Sequence, residues 1–123
     1  MKNLEQIRAA AALPVADKTT KADVNKLPAL ILTNGLLAAV AFANEDQGKK
    51  RPKMAAVVTG LAEHLSDPAF GFGALRGCKT AESMIDALTK ADSIELQLAT
   101  AEALAFVGYV KRFARKGDSD TEE

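Results

Sequence analysis

The sequence has no tryptophan, one cysteine and one histidine among its 123 residues, and these absences exclude several kinds of site. With Cys78 alone, the chain can form no intramolecular disulfide and no cluster of thiolate metal ligands. With His64 alone, it can form no metal site built from several histidines. We therefore predict neither a metal nor a cofactor, and the single cysteine favours a reducing compartment.

The patterns typical of β-strands and of membrane spans are also lacking. No segment of four to eight residues alternates apolar and polar side chains with enrichment in β-branched residues. The most apolar stretch, LPALILTNGLLAAVAFA, is interrupted by Pro28, Thr33, Asn34 and Gly35. The opening MKNLEQIRAA has no uninterrupted apolar core of the kind found in a signal peptide. We expect a cytoplasmic protein.

Helical spacing dominates the rest of the chain and predicts an all-α fold. Aromatic residues make up only 5% of the composition and hydrophobic residues 48%, so alanine, leucine and valine must form most of the core. We predict one compact bundle of about five helices over residues 1–116, followed by a disordered acidic tail over residues 117–123. Basic and acidic residues number sixteen each, but four of the acids lie in that tail. Residues 1–116 therefore carry a positive excess.

The first two predicted helices are bounded by proline and by a capping pair. Asn3 is a candidate N-cap that pairs with Gln6, and Pro14 either ends or kinks the helix that follows. Its predicted inner face consists of Leu4, Ile7 and Ala11. The second helix spans residues 23–43 with Pro28 in its first turns. It is apolar almost all round, so it is either central in the domain or lies at an interface, and we interpret it as the central helix.

Three further helices are predicted after a polar connection at residues 44–53. The third buries one stripe at spacings of three and four: Met54, Val57, Val58, Leu61 and Leu65. The stretch DPAFGFGALRG is predicted to be an irregular loop that covers one end of the core with its two phenylalanines, Phe70 and Phe72. The fourth helix spans about residues 80–90 with Ala81, Met84, Ile85 and Leu88 facing inward. The fifth runs from about residue 93 to Lys116, with Gly117 as its left-handed stop.

No set of an acid, a base and a nucleophile is evident in the sequence. We interpret His64 as a histidine on the surface of a helix, because no ligand or acid accompanies it at a useful spacing. Arg76 and Lys79 lie near Cys78 and could lower the pKa of its thiol, but a structural cysteine is the preferred interpretation. We therefore predict that the protein is not an enzyme.

Two basic clusters are the strongest functional signal. Lys111, Arg112, Arg115 and Lys116 fall within an arc of about 140° at about 100° per residue on the last helix. Phe113 is predicted to face inward with the apolar side, so binding of a polyanion would be electrostatic and largely independent of sequence. Lys49, Lys50, Arg51 and Lys53 form the second cluster. Complementing the helix dipole is the alternative explanation for the first cluster.

Three segments together resemble a known family: MKNLEQIRAA, NKLPALILTNGLLAAVAFA and EALAFVGYVKRFARK. They are similar to the small all-helical subunit of the type III-B CRISPR RNA-guided effector, the Cmr complex. The resemblance implies a non-catalytic subunit, present in several copies, that stacks along a filament of backbone subunits. It also implies that the subunit helps to line the groove where guide RNA and target RNA pair.

The resemblance also implies which residues contact RNA. Lys111, Arg112, Arg115 and Lys116 lie in the closing segment and become candidate phosphate contacts, with Lys26 as a weaker one. Charge clustering alone, and not the family pattern, adds Lys50, Arg51 and Lys53. Pro14 departs from the family because the first helix usually continues at that point, and the acidic tail could fold back over the basic face.

Two other functions remain open on the sequence alone. A helical adaptor or homo-oligomer could use the same basic surface to bind acidic protein partners, with no nucleic-acid role. A small enzyme could use Cys78. Copurifying nucleic acid distinguishes the first alternative from an RNA-proximal subunit, and alkylation of the thiol tests the second.

Overall fold

The computed structural model describes residues 2–115, and their regular structure is helical, as predicted. Lys116 and the predicted tail at residues 117–123 lie outside the described residues. The α-helices of the described part are α1 (Leu4–Ala16), α2 (Lys21–Val24), α3 (Lys26–Asn34), α4 (Leu36–Ala43), α5 (Pro52–Leu65), α6 (Ala81–Lys90) and α7 (Ser93–Phe113). Short 3-10 turns at Glu45–Gly48, Pro68–Phe70 and Gly73–Leu75 lie in the connections.

Helix α1 starts as predicted but buries a different face. The Asn3 side chain accepts a hydrogen bond from the Gln6 amide, and the Gln6 side chain accepts one from the Asn3 amide, both at 2.9 Å. The helix continues through Pro14, which is exposed, so the carbonyl that loses its partner can be hydrated. The prediction that Leu4 is buried was wrong, since Leu4 is 48% exposed. The buried face consists of Ala12, Val15 and Ala16.

The predicted central helix at residues 23–43 is divided into α2, α3 and α4. Gly35 separates α3 from α4 with φ +94° and ψ 161°, a backbone conformation that is almost restricted to glycine. Pro28 lies in the first turn of α3, as expected. Exposed residues lie on both α3 and α4, and Leu32 is 73% exposed. The interpretation of a single helix buried all round was therefore wrong.

The residues of α5 and α6 that were predicted to face inward are buried or packed against the core. Pro52 occupies the first turn of α5, and all five residues of the predicted stripe are buried. Gly60 lets α5 approach α1 closely, because a Cβ at this position would lie 2.3 Å from the Cγ2 atom of Val15. On α6, Ala81, Met84 and Leu88 are buried, and Ile85 is packed against the core.

Helix α7 crosses the bundle and packs against α1, α3 and α5. Asp92 caps its first turn by accepting a hydrogen bond from the Glu95 amide at 2.8 Å. It ends at Phe113 rather than near residue 116, because Ala114 is extended, with φ −70° and ψ 147°. The carbonyl of Arg115 then accepts a hydrogen bond from the Lys21 amide at 3.0 Å. The chain is thus held beside the start of α2 instead of continuing as a helix.

Candidate nucleic-acid interface

The end of α7 carries the first basic cluster. Lys111 and Arg112 are exposed in the last helical turn, and Arg115 is exposed just beyond it. Within residues 2–115, none of these three cations forms an ion pair. Because Arg115 is not helical, the predicted arc of four residues on one helix was wrong, and Lys116 lies outside the described residues.

Lys21 joins α2 to this end of α7. Its Nζ atom donates a hydrogen bond to the carbonyl of Lys111 at 2.8 Å, and its backbone amide bonds the carbonyl of Arg115. Lys21 therefore places a positive charge at the C-terminus of α7, where the helix dipole is negative. The positive charges of Lys111 and Arg112 extend outward from the same turn.

Phe113 does not face inward as predicted. Its side chain is 38% exposed, and its ring lies 5.8 Å from that of Tyr109. The buried face of α7 near this end is formed by Phe106, Val107 and Val110 instead. An exposed aromatic side chain therefore lies next to the cations of the last turn.

The second basic cluster surrounds a surface cavity of about 370 Å³. The structure brings Lys26, from the start of α3, together with Lys50 and Lys53, although these residues are distant in the sequence. Asp23 also lines this cavity and offsets part of the charge. Lys26 and Lys53 are exposed, and neither forms an ion pair with another residue in the described part of the chain.

Arg51 has a different position from the other members of the second cluster. Its guanidinium carbon lies 3.5 Å from the centroid of the Phe42 ring, and Nη1 donates to the Phe42 carbonyl at 2.9 Å. The same nitrogen donates to Glu45 Oε1 at 2.8 Å, and Lys50 lies 3.5 Å from that oxygen. The hydrogen bond from Arg51 is the main cause that lowers the pKa of the Glu45 carboxyl. Arg51 thus holds the connection between α4 and α5.

Helix α2 connects the two clusters. It packs against both α5 and α7, Lys21 at its start contacts the end of α7, and Lys26 just after it lines the cavity. We call the combined surface the basic edge. It consists of Lys21, Lys26, Lys50, Lys53, Lys111, Arg112 and Arg115.

A buried ionic cluster was missed by the sequence analysis. His64 is only 4% exposed, so its interpretation as a surface histidine was wrong. Its Nε2 atom donates to Glu102 Oε2 at 2.8 Å, and Arg8 donates to both carboxylate oxygens of Glu102 at 2.7 Å. The three side chains link α5, α7 and α1. A signal was present, because His64 lies three residues after Leu61 and therefore on the buried stripe.

Opposing effects set the pKa of the Glu102 carboxyl. Burial favours the neutral acid and raises the pKa, whereas hydrogen bonds from Arg8 and His64 and the positive charge of Arg8 favour the carboxylate. The hydrogen bonds and charge prevail, so the pKa lies below its ordinary value. Glu102 is therefore an ionised acceptor that holds three helices together.

Cys78 and the acidic residues form no recognisable reactive centre within residues 2–115. The Cys78 side chain is buried, and its Sγ atom contacts the Ser83 carbonyl at 3.6 Å. No group of three or more histidine, cysteine, aspartate or glutamate residues in this range could hold a metal ion. None of the helices in the same range is long and apolar enough to span a membrane.

The comparison with protein families agrees with the resemblance seen in the three segments. A family model described as CRISPR-associated protein (Cas_Cmr5) matches residues 2–116. The chain belongs to this family. It is thus a small subunit of the type III-B Cmr complex, and its partners include other subunits of that complex. Searches of curated proteins and of solved structures gave no match.

Proposed function

We propose that this Cas_Cmr5-family protein is a non-catalytic structural subunit that lines the guide and target RNA groove of the effector with its basic edge. The observation that carries the proposal is the convergence of cations from three separate segments around α2. Such a surface suits a polyanion with regularly spaced phosphates and would bind it largely without regard to sequence. In this proposal the subunit acts in the cytoplasm.

Exposed apolar side chains support the stacking of several copies along the backbone filament. Leu4 of α1 and Leu98 of α7 are 48% and 57% exposed, and both line a surface cavity with Phe70 and Phe72. A patch of this kind is typical of contacts between proteins. It lies on α1, α7 and the loop after α5, whereas the basic edge lies around α2.

A charge-reversal experiment in reconstituted effector particles tests the RNA contact. The variant carries Lys111→Glu and Arg112→Glu, and its matched control carries Arg76→Glu and Lys79→Glu, two exposed cations away from the basic edge. We expect both variants to assemble, because the substituted side chains are exposed. Only the first should weaken target RNA binding, by about tenfold or more at low salt, measured by filter binding.

The opposite result would favour the adaptor function. If the Lys111 and Arg112 variant binds RNA as tightly as the control but loses a protein subunit from the particle, the cations recognise an acidic protein. If both variants bind target RNA equally well and assemble normally, the end of α7 contacts neither RNA nor an acidic protein. Copurification of guide RNA with the unsubstituted subunit is the positive reference for each case.

A further inference from the structure

Phe113 differs from the other phenylalanines of the chain in being exposed. Phe106 is buried and stacks on His64 at 4.7 Å, and Phe70 meets the edge of the same ring at 4.7 Å. Phe72 stacks on Phe70, and Phe42 is covered by Arg51. Phe113 is 38% exposed in the last turn of α7. Among the described residues its one aromatic neighbour is Tyr109, whose ring lies 5.8 Å away, and much of the Phe113 side chain stays exposed.

Tyr109 lies next to Phe113 and also lines a shallow cavity that does not include Phe113. The Tyr109 hydroxyl donates a hydrogen bond to Glu5, which fixes the ring one turn before Phe113. Gly108 lies in a shallow cavity of about 510 Å³ between Tyr109 and Arg112. A Cβ at Gly108 would meet no atom within 4 Å, so close packing inside the chain does not require this glycine. Glycine is unfavourable in a helix interior, and here it lines an open cavity beside Tyr109.

The charges beside Phe113 indicate which kind of ligand fits this surface. Lys111 and Arg112 directly precede Phe113 in the sequence and form no ion pair with a described residue. A ligand that matches both features has planar apolar faces joined to negative charges. An unpaired stretch of RNA meets this description, whereas a duplex hides the faces of its bases.

We propose that Phe113, with Tyr109 beside it, stacks an unpaired RNA base whose adjacent phosphates contact Lys111 and Arg112. This inference rests on the proposed function and deepens it, because a basic edge alone contacts phosphates only. It assigns to the end of α7 a preference for single-stranded over paired RNA. Bases that are displaced from the duplex or lie beside it are the expected occupants.

Because the chain contains no tryptophan, one substitution creates a specific fluorescent reporter. Phe113→Trp in the full chain is titrated with a short unstructured oligouridylate at low salt. Stacking of a base should quench the tryptophan emission. The matched control is Leu98→Trp, another exposed apolar position on α7 and about 22 Å away along the helix, which should show no quenching.

A second set of titrations separates base contacts from phosphate contacts. Phe113→Ala should weaken binding of the oligouridylate by about tenfold, the typical effect of removing one stacking partner. The same substitution should leave binding of an abasic strand with the same phosphates unchanged. Thermal unfolding checks that each variant is folded.

The outcomes separate this inference from the proposed function. Suppose that binding is salt-dependent and lost on reversal of Lys111 and Arg112, while Phe113→Ala binds as tightly as wild type and Phe113→Trp is not quenched. The stacking site is then refuted and the phosphate-binding edge stands. Absence of salt-dependent RNA binding by wild type, both as the free chain and in reconstituted effector particles, refutes both. Quenching by a backbone subunit, and not by oligouridylate, would make Phe113 a protein contact and also overturn the inference.

Discussion

The buried Glu102 carboxylate joins three helices through its hydrogen bonds with Arg8 and His64. It is 8% exposed and accepts hydrogen bonds from His64 and from both the Nε and Nη2 atoms of Arg8. A buried charge is tolerated only when it is paired and its lone pairs are used, and loss of one partner leaves the other uncompensated. The sequence pattern had predicted that Leu4 packs against the bundle. Instead Leu4 is exposed, and Arg8, one turn later on α1, contacts the bundle through Glu102.

Acid should weaken the fold through Glu102. Because the folded pKa of this carboxyl is lowered, its contribution to the free energy of unfolding is present above the unfolded pKa of about 4.3. The contribution is lost as the pH falls through the folded value. We expect Glu102→Gln to cost about 2 kcal/mol at pH 6, and the difference from wild type to shrink between about pH 5 and pH 3.

Urea unfolding at several pH values measures this difference. The matched control is Glu63→Gln, because Glu63 is exposed and forms no ion pair with a described residue. Its effect should be small and nearly constant over the same range. A gap between wild type and Glu102→Gln that stays constant down to pH 3 would contradict the assignment of an ionised, hydrogen-bonded Glu102.

At the scale of elements, two helical glycines have opposite roles. Gly60 of α5 faces Val15 of α1 with no room for a methyl group, whereas Gly108 of α7 faces open space. Gly60→Ala should therefore lower the free energy of unfolding by about 1–3 kcal/mol through overpacking. Gly108→Ala should raise it by about 0.5–1 kcal/mol, because alanine favours the helix.

Chemical denaturation of both variants checks these signs. Introducing Val15→Ala should reduce the cost of Gly60→Ala, because the clashing methyl groups are removed. If Gly60→Ala is as stable as wild type and the double variant shows no coupling, α1 and α5 are farther apart than described. If Gly108→Ala is destabilising, that glycine has a packing role inside the chain.

Local signals predicted the elements, and long-range contacts decided where they end. The Asn3 capping pair and the stripe of α5 depend on neighbours three or four residues apart, so the sequence was sufficient to find them. The path of the chain after α7 involves a distant segment, because the Lys21 amide donates a hydrogen bond to the Arg115 carbonyl. The spacing of apolar residues along a helix does not reveal such a contact between distant segments. The break at Gly35 did have a local signal in the glycine itself, but the apolar run around it favoured one helix.

At the scale of the whole molecule, the candidate site shows the same division. Charge clustering alone indicated Lys50, Lys53, Lys111 and Arg112 as separate groups. The folded chain places α2 between them, and neither charge cluster in the sequence includes Lys21. Arg51 shows the reverse, since its charge is directed to Phe42 and Glu45 by contacts that composition does not reveal.

If the basic edge binds RNA as one continuous surface, the salt dependence of RNA binding can be predicted quantitatively. Binding of single-stranded RNA by the full chain should fall with salt, and each lost phosphate contact should reduce the slope of log K against log salt by about 0.7. Neutralising Lys111 and Arg112 to glutamine should therefore reduce the slope by about 1.4, as should neutralising Lys26 and Lys53. If both pairs contact one strand, the four substitutions together should reduce the slope by about 2.8.

Anisotropy titrations over a range of salt concentrations measure these slopes, with Arg76→Gln and Lys79→Gln as the control pair that leaves the slope unchanged. Additive losses require that one RNA strand contacts both ends of the edge at once, because a cation that touches no phosphate releases no counterion on binding. A loss on only one pair would mean that RNA occupies one cluster alone. In that case the two clusters are independent surfaces on either side of α2. The cluster whose substitution leaves the salt slope unchanged is then available to bind an acidic neighbouring subunit.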